Sequence, residues 1–400
     1  MEVLKGEVAK RETFAYTFIK LIKEDTVMAS ANSNENRQTN INKVYRYIYE
    51  NGPTSRMDIA CNLGISMPTV LSIVKDLLSQ GKVCHGNLFD STGGRKAQSV
   101  FCDMRYRLSI GLNVTKNYIG AVLIDLNGEI IASKRIKQPF DQSEEYAALL
   151  GHTVQSILSE NAVEPEKVLG VGLAIAGIVG DNGTRIVYSH VLKVSNVPCE
   201  DLCRYIPFPC KLINDANSSG CAEIRYHKGM GNVLYLSLSN SIGGAVFIDH
   251  KLYEGDNFCG GEFGHMTLYP GGAPCYCGKS GCLDPYCSAL VLSENFGGNL
   301  ETFFWKLDSH EHYAEKLWQK YLDDLAIAVN NLRMAFDGSI ILGGYVGALM
   351  EPYLPMLREK VAERNPFGPA YNFLTCCSYK KDSAAVGAAL QFVDDYFTGA

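Results

Sequence analysis

Residues 261–288 read GEFGHMTLYPGGAPCYCGKSGCLDPYCS, placing His265, Cys275, Cys277 and Cys282 beside two carboxylates, Glu262 and Asp284. A Cys-x-Cys-x4-Cys spacing cannot join three sulfurs in mutual disulfides. Three thiolates and an imidazole do complete a tetrahedral zinc shell. Four protein ligands leave no open position, so such a zinc is expected to be structural rather than hydrolytic. It would fix Glu262 and Asp284, which flank the ligands. Acceptor-only carboxylates held in this way suit a small polyhydroxylated molecule, whose hydroxyls donate. Cys287 is a further nearby thiol, with no physical reason to displace His265 from the shell.

The surrounding chain has 400 residues, long for one core and suited to two or three domains. Its 46% hydrophobic and 20% charged residues give a globular composition. No run approaches the roughly 18 apolar residues that span a bilayer. The start, MEVLKGEVAKRETF, lacks the apolar core of a secretory signal. Fourteen cysteines, scattered except at the metal-spaced cluster, fit reduced thiols and a cytoplasmic location. The net charge of −6 argues against nucleic-acid binding by the chain as a whole, but the local balance differs.

Residues 1–36 read as an N-terminal extension: an amphipathic stretch, Arg11 to Glu24, then a polar linker from Ser30 to Asn40. A docking helix is the other reading of this segment. Ile41, Val44, Tyr45, Ile48 and Tyr49 then form one face of a helix that Gly52-Pro53 stops. Ser55 to Asp58 resembles a capping box opening a second helix through Leu63, ended by Gly64. Ser66 is the expected cap of a third helix with Pro68 in its first turn and Val70, Ile73, Val74, Leu77 and Leu78 on its apolar face. Three short helices, a strand from Lys82 to His85 and a Gly-rich turn describe a winged helix-turn-helix over residues 37–103.

The third helix leaves Ser66 at its start and Thr69, Ser72 and Lys75 outside, small polar and cationic groups suited to a major groove. Residues 37–100 hold eight basic and four acidic side chains, the reverse of the whole chain. Within Gly93-Gly94-Arg95-Lys96, Arg95 and Lys96 form a flexible basic hook suited to a minor groove. A packing or dimerisation module is the competing reading; capping, charge reversal and hook together favour DNA.

After Met104 the pattern becomes α/β. Arg107–Leu112, Tyr118–Asp125 and Glu129–Lys137 read as strands, with Asn127-Gly128 as a hairpin turn. A helix from Glu144 to Ser159 and a buried strand from Val168 to Leu173 follow. Val233–Leu238, Ser241–Asp249 and Lys251–Tyr253 then repeat the opening theme, hinting at a duplication with a ligand cleft between its halves.

From Asn42 to its end the chain resembles the ROK family (repressors, open reading frames and sugar kinases), in particular the regulator branch of xylose and N-acetylglucosamine repressors. The motifs carrying the resemblance are GGRK, LAIAGIVGDNG, NDAN at Asn214 to Asn217, EFGH, CYCGKSGCLD and ILGGYVG, in family order. The resemblance implies an actin-like, duplicated ribonuclease H-like fold: a first lobe over 104–210, and a second over 211–400 carrying the zinc site, its last helix returning to the first lobe. It also implies that Asn214, Asp215, Glu262, His265 and Asp284 bind sugar, with Asp215 the general base of any kinase activity. Asp284 stands where the family usually has Glu, so its shorter side chain is expected to alter hydroxyl reach. Operator DNA, a sugar effector and a homodimer are the implied partners.

A kinase of this family also needs glycine-lined turns that cradle phosphate and an acid near the metal-nucleotide. The first turn here, Gly111 to Asn117, has Asn113 where kinases usually carry Asp, and Thr115-Lys116 replace a glycine pair. The second, Ser239 to Ala245, has lost glycines where Cβ atoms obstruct the cradle. Ile341 to Gly344 would line an adenosine pocket or form a plain tight turn. These changes weigh against ATP and magnesium as cofactors, and the expected protein is a sugar-responsive repressor without efficient phosphorylation. An ATP-dependent hexose or N-acetylhexosamine kinase with a DNA-binding module is the alternative. A regulator with a decayed sugar pocket is the third reading, which retention of Asn214, Asp215, Glu262 and His265 opposes.

Overall fold

The computed structural model describes residues 36–88, 98–227, 229–367 and 373–398. Contacts divide the chain into one unit ending at Tyr106 that also includes Asp395–Ala400, and another spanning Arg107–Asp394. The amphipathic stretch from Arg11 to Glu24 lies outside the described residues, as does the Gly93–Lys96 hook with Arg95 and Lys96.

In the first unit, helix α1 covers 36–51. Residues 36–40, expected to belong to a polar linker, are therefore helical: they are mostly exposed and extend the helix whose buried face is Val44, Tyr45 and Ile48. Helix α2 (Arg56–Leu63) opens on the expected capping box, with Ser55 Oγ accepting from Asp58 N–H and Gly64 closing the helix at φ 63°. Helix α3 (Met67–Ser79) buries Val70, Ile73, Val74 and Leu77. Ser66 occupies its cap position, but the hydroxyl makes no capping bond. It pairs with Thr69 Oγ1 at 2.8 Å instead, a correction to the expected role. Strands β1 (Val83–Leu88) and β2 (Gln98–Cys102) pair antiparallel as the wing. Tyr45 and Tyr49 also receive aromatic residues from the chain's end: Phe397 stacks on Tyr49 with centroids 3.9 Å apart.

The second unit repeats one topology. Strands β3 (Leu108–Val114), β4 (Tyr118–Asp125) and β5 (Ile130–Lys137) form an antiparallel meander, closed at its second turn by the Asp125 carboxylate, which accepts from Asn127 and Glu129 N–H. Helix α4 (Glu144–Glu160) leads to β6 (Val168–Ile175), parallel to β3. A three-stranded sheet of β7 (Ile178–Gly180), β8 (Arg185–Ser189) and β9 (Val194–Pro198) follows, then α5 (Cys199–Cys203) and β10 (Cys210–Asn214), parallel to β6. After α6 (Asp215–Tyr226), strands β11 (Val233–Leu238), β12 (Ile242–Ile248) and β13 (Lys251–Leu252) form a second meander. Helices α7 (Asp284–Cys287), α8 (Ala289–Ser293), α9 (Leu300–Asp308) and α10 (His312–Phe336) precede β14 (Ser339–Gly343). Then come α11 (Gly344–Gly347), α12 (Leu354–Ala362), β15 (Leu374–Cys376) and α13 (Ser383–Thr398). The two five-stranded sheets run β5-β4-β3-β6-β10 and β13-β12-β11-β14-β15, the same order twice.

Side chains alternate across each sheet as strand geometry requires. Ile110 and Leu112 of β3 pack with Leu150 and Val154 of α4, while Leu234 and Leu236 of β11 pack with Leu325 and Val329 of α10. The opposite faces are smaller and take an exchanged pair of helices. A Cβ at Gly111 or Gly172 would overlap the carbonyls of Ala385 and Ala388, so α13 lies against the first sheet. Helix α6 lies against the second sheet, where a Cβ at Gly220 would come within 2.9 Å of Ala245. The two helices touch through Ser218 Oγ, which donates to Ala384 O at 2.5 Å. A lobe boundary at 210/211 is therefore displaced: β10 belongs to the first sheet, and the chain crosses to the second at Asn214-Asp215.

Candidate functional site

That crossing brings Asn214 and Asp215 to the junction of the two sheets. Asn214 ends β10 and caps α6, its Oδ1 accepting from Ala216 and Asn217 N–H at 2.9 Å each while Nδ2 donates to Gly177 O. One amide hydrogen is left for a ligand. Asp215 starts the helix, and its carboxylate accepts only backbone N–H, from Ala216. Burial pushes Asp215 above the ordinary carboxyl range. Glu262 is raised as well, by burial first and then by the facing Asp215. Among the described residues no cationic side chain pairs with either. Two neighbouring acceptors with no side-chain donor among the described residues are what a polyhydroxylated ligand would complete.

Glu262 and His265 are placed by glycines. Gly261 adopts φ 83° with its α-carbon packed on the backbone of Gly244, and Gly264 lies against Ile242. His265 Nδ1 is 3.7 Å from Cys275 Sγ and Cys277 Sγ is 3.8 Å from Cys282 Sγ. All four ligand atoms lie within 4.8 Å of one another. A tetrahedron with metal–sulfur bonds of about 2.3 Å has sulfur–sulfur edges of about 3.8 Å, so the donor set fits one four-coordinate ion. Burial, then His190 and Lys279, hold the His265 imidazole below its usual range, in the neutral form a metal requires. Cys287, fully buried, stands outside this group.

Asp284 is buried, and its Oδ2 accepts from Ile242 N–H at 2.6 Å. Its carboxyl rises to about 6 through burial. The residue therefore anchors the strand that follows the second phosphate turn, and only its other oxygen remains for a ligand. Sequence reasoning missed Tyr276 and His190. The phenol of Tyr276 is 3.3 Å from His265 Nε2, and His190 lies beyond it. Tyr276 had a signal in its position between two metal-spaced cysteines; His190 had none.

The first phosphate turn is closed on itself. Thr115 Oγ1 accepts from Tyr118 N–H and donates to Tyr118 O, both at 3.0 Å. Asn113 Oδ1 is buried without a partner. Arg135 lies over the Tyr118 ring at 4.4 Å, in the wall of a solvent-open pocket. The glycine pair Gly343-Gly344 also has a packing reason: the fully buried Tyr235 phenol fills the space a Gly343 Cβ would need and accepts from Gly344 N–H at 3.2 Å. On the winged helix, Ser66, Ser72 and Lys75 are exposed and Thr69 is half-buried, while Asp76 on the same helix is paired with Arg37 at 2.7 Å.

A winged helix joined to a duplicated two-lobed α/β unit, with a one-histidine, three-cysteine group beside a carboxylate cleft, defines a regulator built on a sugar-kinase scaffold. The ROK family model matches residues 109–394, and the chain belongs to that family. The xylose repressor of Bacillus subtilis (strain 168) is 24% identical over 379 residues, covering 90% of this chain and 96% of that protein. The DNA-binding transcriptional dual regulator NagC of Escherichia coli (strain K12) is 24% identical over 261 residues, 64% of each chain. A solved ROK family transcriptional regulator, a homolog of the E. coli MLC protein, superposes with a TM-score of 0.72 at 18% identity, covering 91% of this chain and 97% of its own. No helix among the described residues is long and apolar enough to cross a membrane.

Proposed function

We propose that this chain is a sugar-responsive transcriptional repressor whose winged helix binds operator DNA and whose cleft binds sugar without phosphorylating it. The observation carrying this reading is a contrast within one cleft. The acceptors Asp215 and Glu262 lie close together with no side-chain donor among the described residues, whereas the first phosphate turn is tied up by its own Thr115 hydroxyl. Asp215, Glu262 and His265 would take sugar hydroxyls, Asn214 would lend its remaining amide hydrogen, and Asp284 would hold the adjoining turn. Zinc is the metal proposed for His265, Cys275, Cys277 and Cys282, where it would supply a fixed charge and a fixed imidazole. Ser66, Thr69, Ser72 and Lys75 would face the major groove, with Arg95 and Lys96 in the wing. A homodimer would place two winged helices on two half-sites, and unequal sugar affinity for two states would then change operator affinity.

The names of the relatives support this reading, and the Bacillus subtilis protein makes xylose the first sugar to test. Calorimetry or thermal shift with a sugar panel and no nucleotide tests it. A sugar at 100 times its Kd should stabilise the protein by about 2.7 kcal/mol, and the same sugar should change retardation of operator DNA. No response to any pentose, hexose or N-acetylated sugar would refute it. Asp215, half-buried and available as a base, is the one feature favouring a kinase. Sugar phosphate formed with magnesium-ATP and lost in Asp215→Asn would establish that alternative.

A further inference from the structure

Tyr276 sits between two metal-spaced thiols without being needed as a ligand. Its ring stands edge-on to His265, centroids 5.2 Å apart at 69°, and edge-on to His190 at 5.9 Å and 69°. His190, just beyond β8, is in turn edge-on to Tyr188 at 4.5 Å, with Nδ1 3.0 Å from that phenol. The row of rings therefore runs from the three-stranded sheet of the first half to the thiol loop of the second. Because His265 Nδ1 faces the thiols, Nε2 is the nitrogen left for a ligand hydroxyl. The Tyr276 hydroxyl already stands 3.3 Å from it. That phenol is a hydroxyl like those of a sugar, standing where a ligand hydroxyl would bind.

We infer that Tyr276 is an internal gate: its hydroxyl stands in for a ligand hydroxyl on His265 Nε2, and a sugar must displace the ring from between His265 and His190. The inference rests on the sugar-site reading of Asp215, Glu262 and His265. Tyr276 is 50% exposed, which leaves it a path outward. Only the gate-open population binds, so the apparent Kd is raised by the inverse of that fraction. The gate also selects, because a ligand that offers His265 a hydroxyl replaces the contact it breaks and a deoxy analogue does not.

The test is calorimetry of the full-length protein with D-xylose, D-glucose and N-acetylglucosamine, comparing wild type, Tyr276→Ala and Tyr276→Phe at verified metal content. Losing one neutral hydrogen bond and the edge-to-face contacts should make Tyr276→Ala bind the responding sugar roughly tenfold tighter or more. Tyr276→Phe keeps the ring contacts and should fall between, a few-fold tighter than wild type, and it decides the matter alone if the Ala variant loses metal or fails to fold. Weaker or unchanged affinity in the variants overturns the gate while leaving the sugar site standing. Absence of binding by wild type and both variants overturns the sugar site and the gate with it.

Discussion

Replacing Glu223 by Ala should remove about 3–5 kcal/mol of stability from the two-lobed unit without touching a candidate ligand contact. Glu223 lies on α6 and is 0% exposed. Its carboxylate accepts from the backbone N–H of Ser378 at 2.8 Å and of Tyr379 at 2.9 Å. Those donors lead into α13, so one side chain ties the two exchanged helices together. Each bond to a charged acceptor contributes about 1.5–3 kcal/mol, and its loss strands a buried N–H. Glu223→Gln keeps one acceptor oxygen and should lose about half as much.

The pH dependence has a definite sign. Burial raises the Glu223 carboxyl above its ordinary 4.5, so the folded protein holds that proton more tightly than the unfolded chain. The penalty for ionisation is fully present above the raised value and is relieved as pH falls through it toward 4.5. The Gln variant has no such relief, so the gap between wild type and Glu223→Gln should widen as pH falls through the raised value toward 4.5. Urea unfolding followed by fluorescence of Trp305 and Trp318 measures both effects. A loss under about 1 kcal/mol for Glu223→Ala, or a gap that narrows on acidification, would refute this account of the helix pair.

Gly343→Ala should destabilise by about 1–3 kcal/mol, because the new methyl meets the buried Tyr235 phenol, and Tyr235→Leu in the same chain should restore part of that; equal losses in the single and double variants would return Gly343 to a nucleotide role. Cys277→Ser should lower metal content from about one ion per chain and abolish the sugar-induced thermal shift with it, since His265 serves both sites; a shift that survives loss of the metal would separate the two. Asp215→Asn should weaken sugar binding by roughly 10- to 100-fold while leaving the melting temperature level or higher, because burial already disfavours the charge. Wild-type affinity should likewise fall as pH drops through the raised Asp215 value, which calorimetry across pH checks.

Features set by neighbours in sequence were legible without coordinates. The Ser55 capping box, the Asn127-Gly128 turn and the apolar face of α3 depend on residues within a few positions, and the structure contains all three. The cluster of His265 with Cys275, Cys277 and Cys282 was legible for the same reason, since its three thiols lie in one short loop. Features set by distant partners were not. Glu223 carries no local pattern, because its partners lie 155 and 156 residues away. Asn214 looked like a ligand group, yet one of its amide hydrogens is taken by Gly177 O, 37 residues earlier in the chain. The lobe boundary was misplaced because β10 is short and partly polar, and only its pairing with β6 assigns it to the first sheet.

The reciprocal exchange of α6 and α13 bears on why catalysis and binding could diverge in this cleft. Asp215 begins α6, and α6 is held by Ser218 and Glu223 against α13 and the segment before it, so the proposed sugar acceptor is fixed by the architecture itself. The phosphate turns are hairpin connections, where a substitution disturbs no exchanged helix. Thr115 could therefore close the first turn, and serine and asparagine enter the second, without loosening the Asp215–Glu262 pair. One altered turn would leave phosphoryl transfer open to partial compensation. Two altered turns beside an intact acceptor set are the pattern expected when recognition is retained and transfer is not.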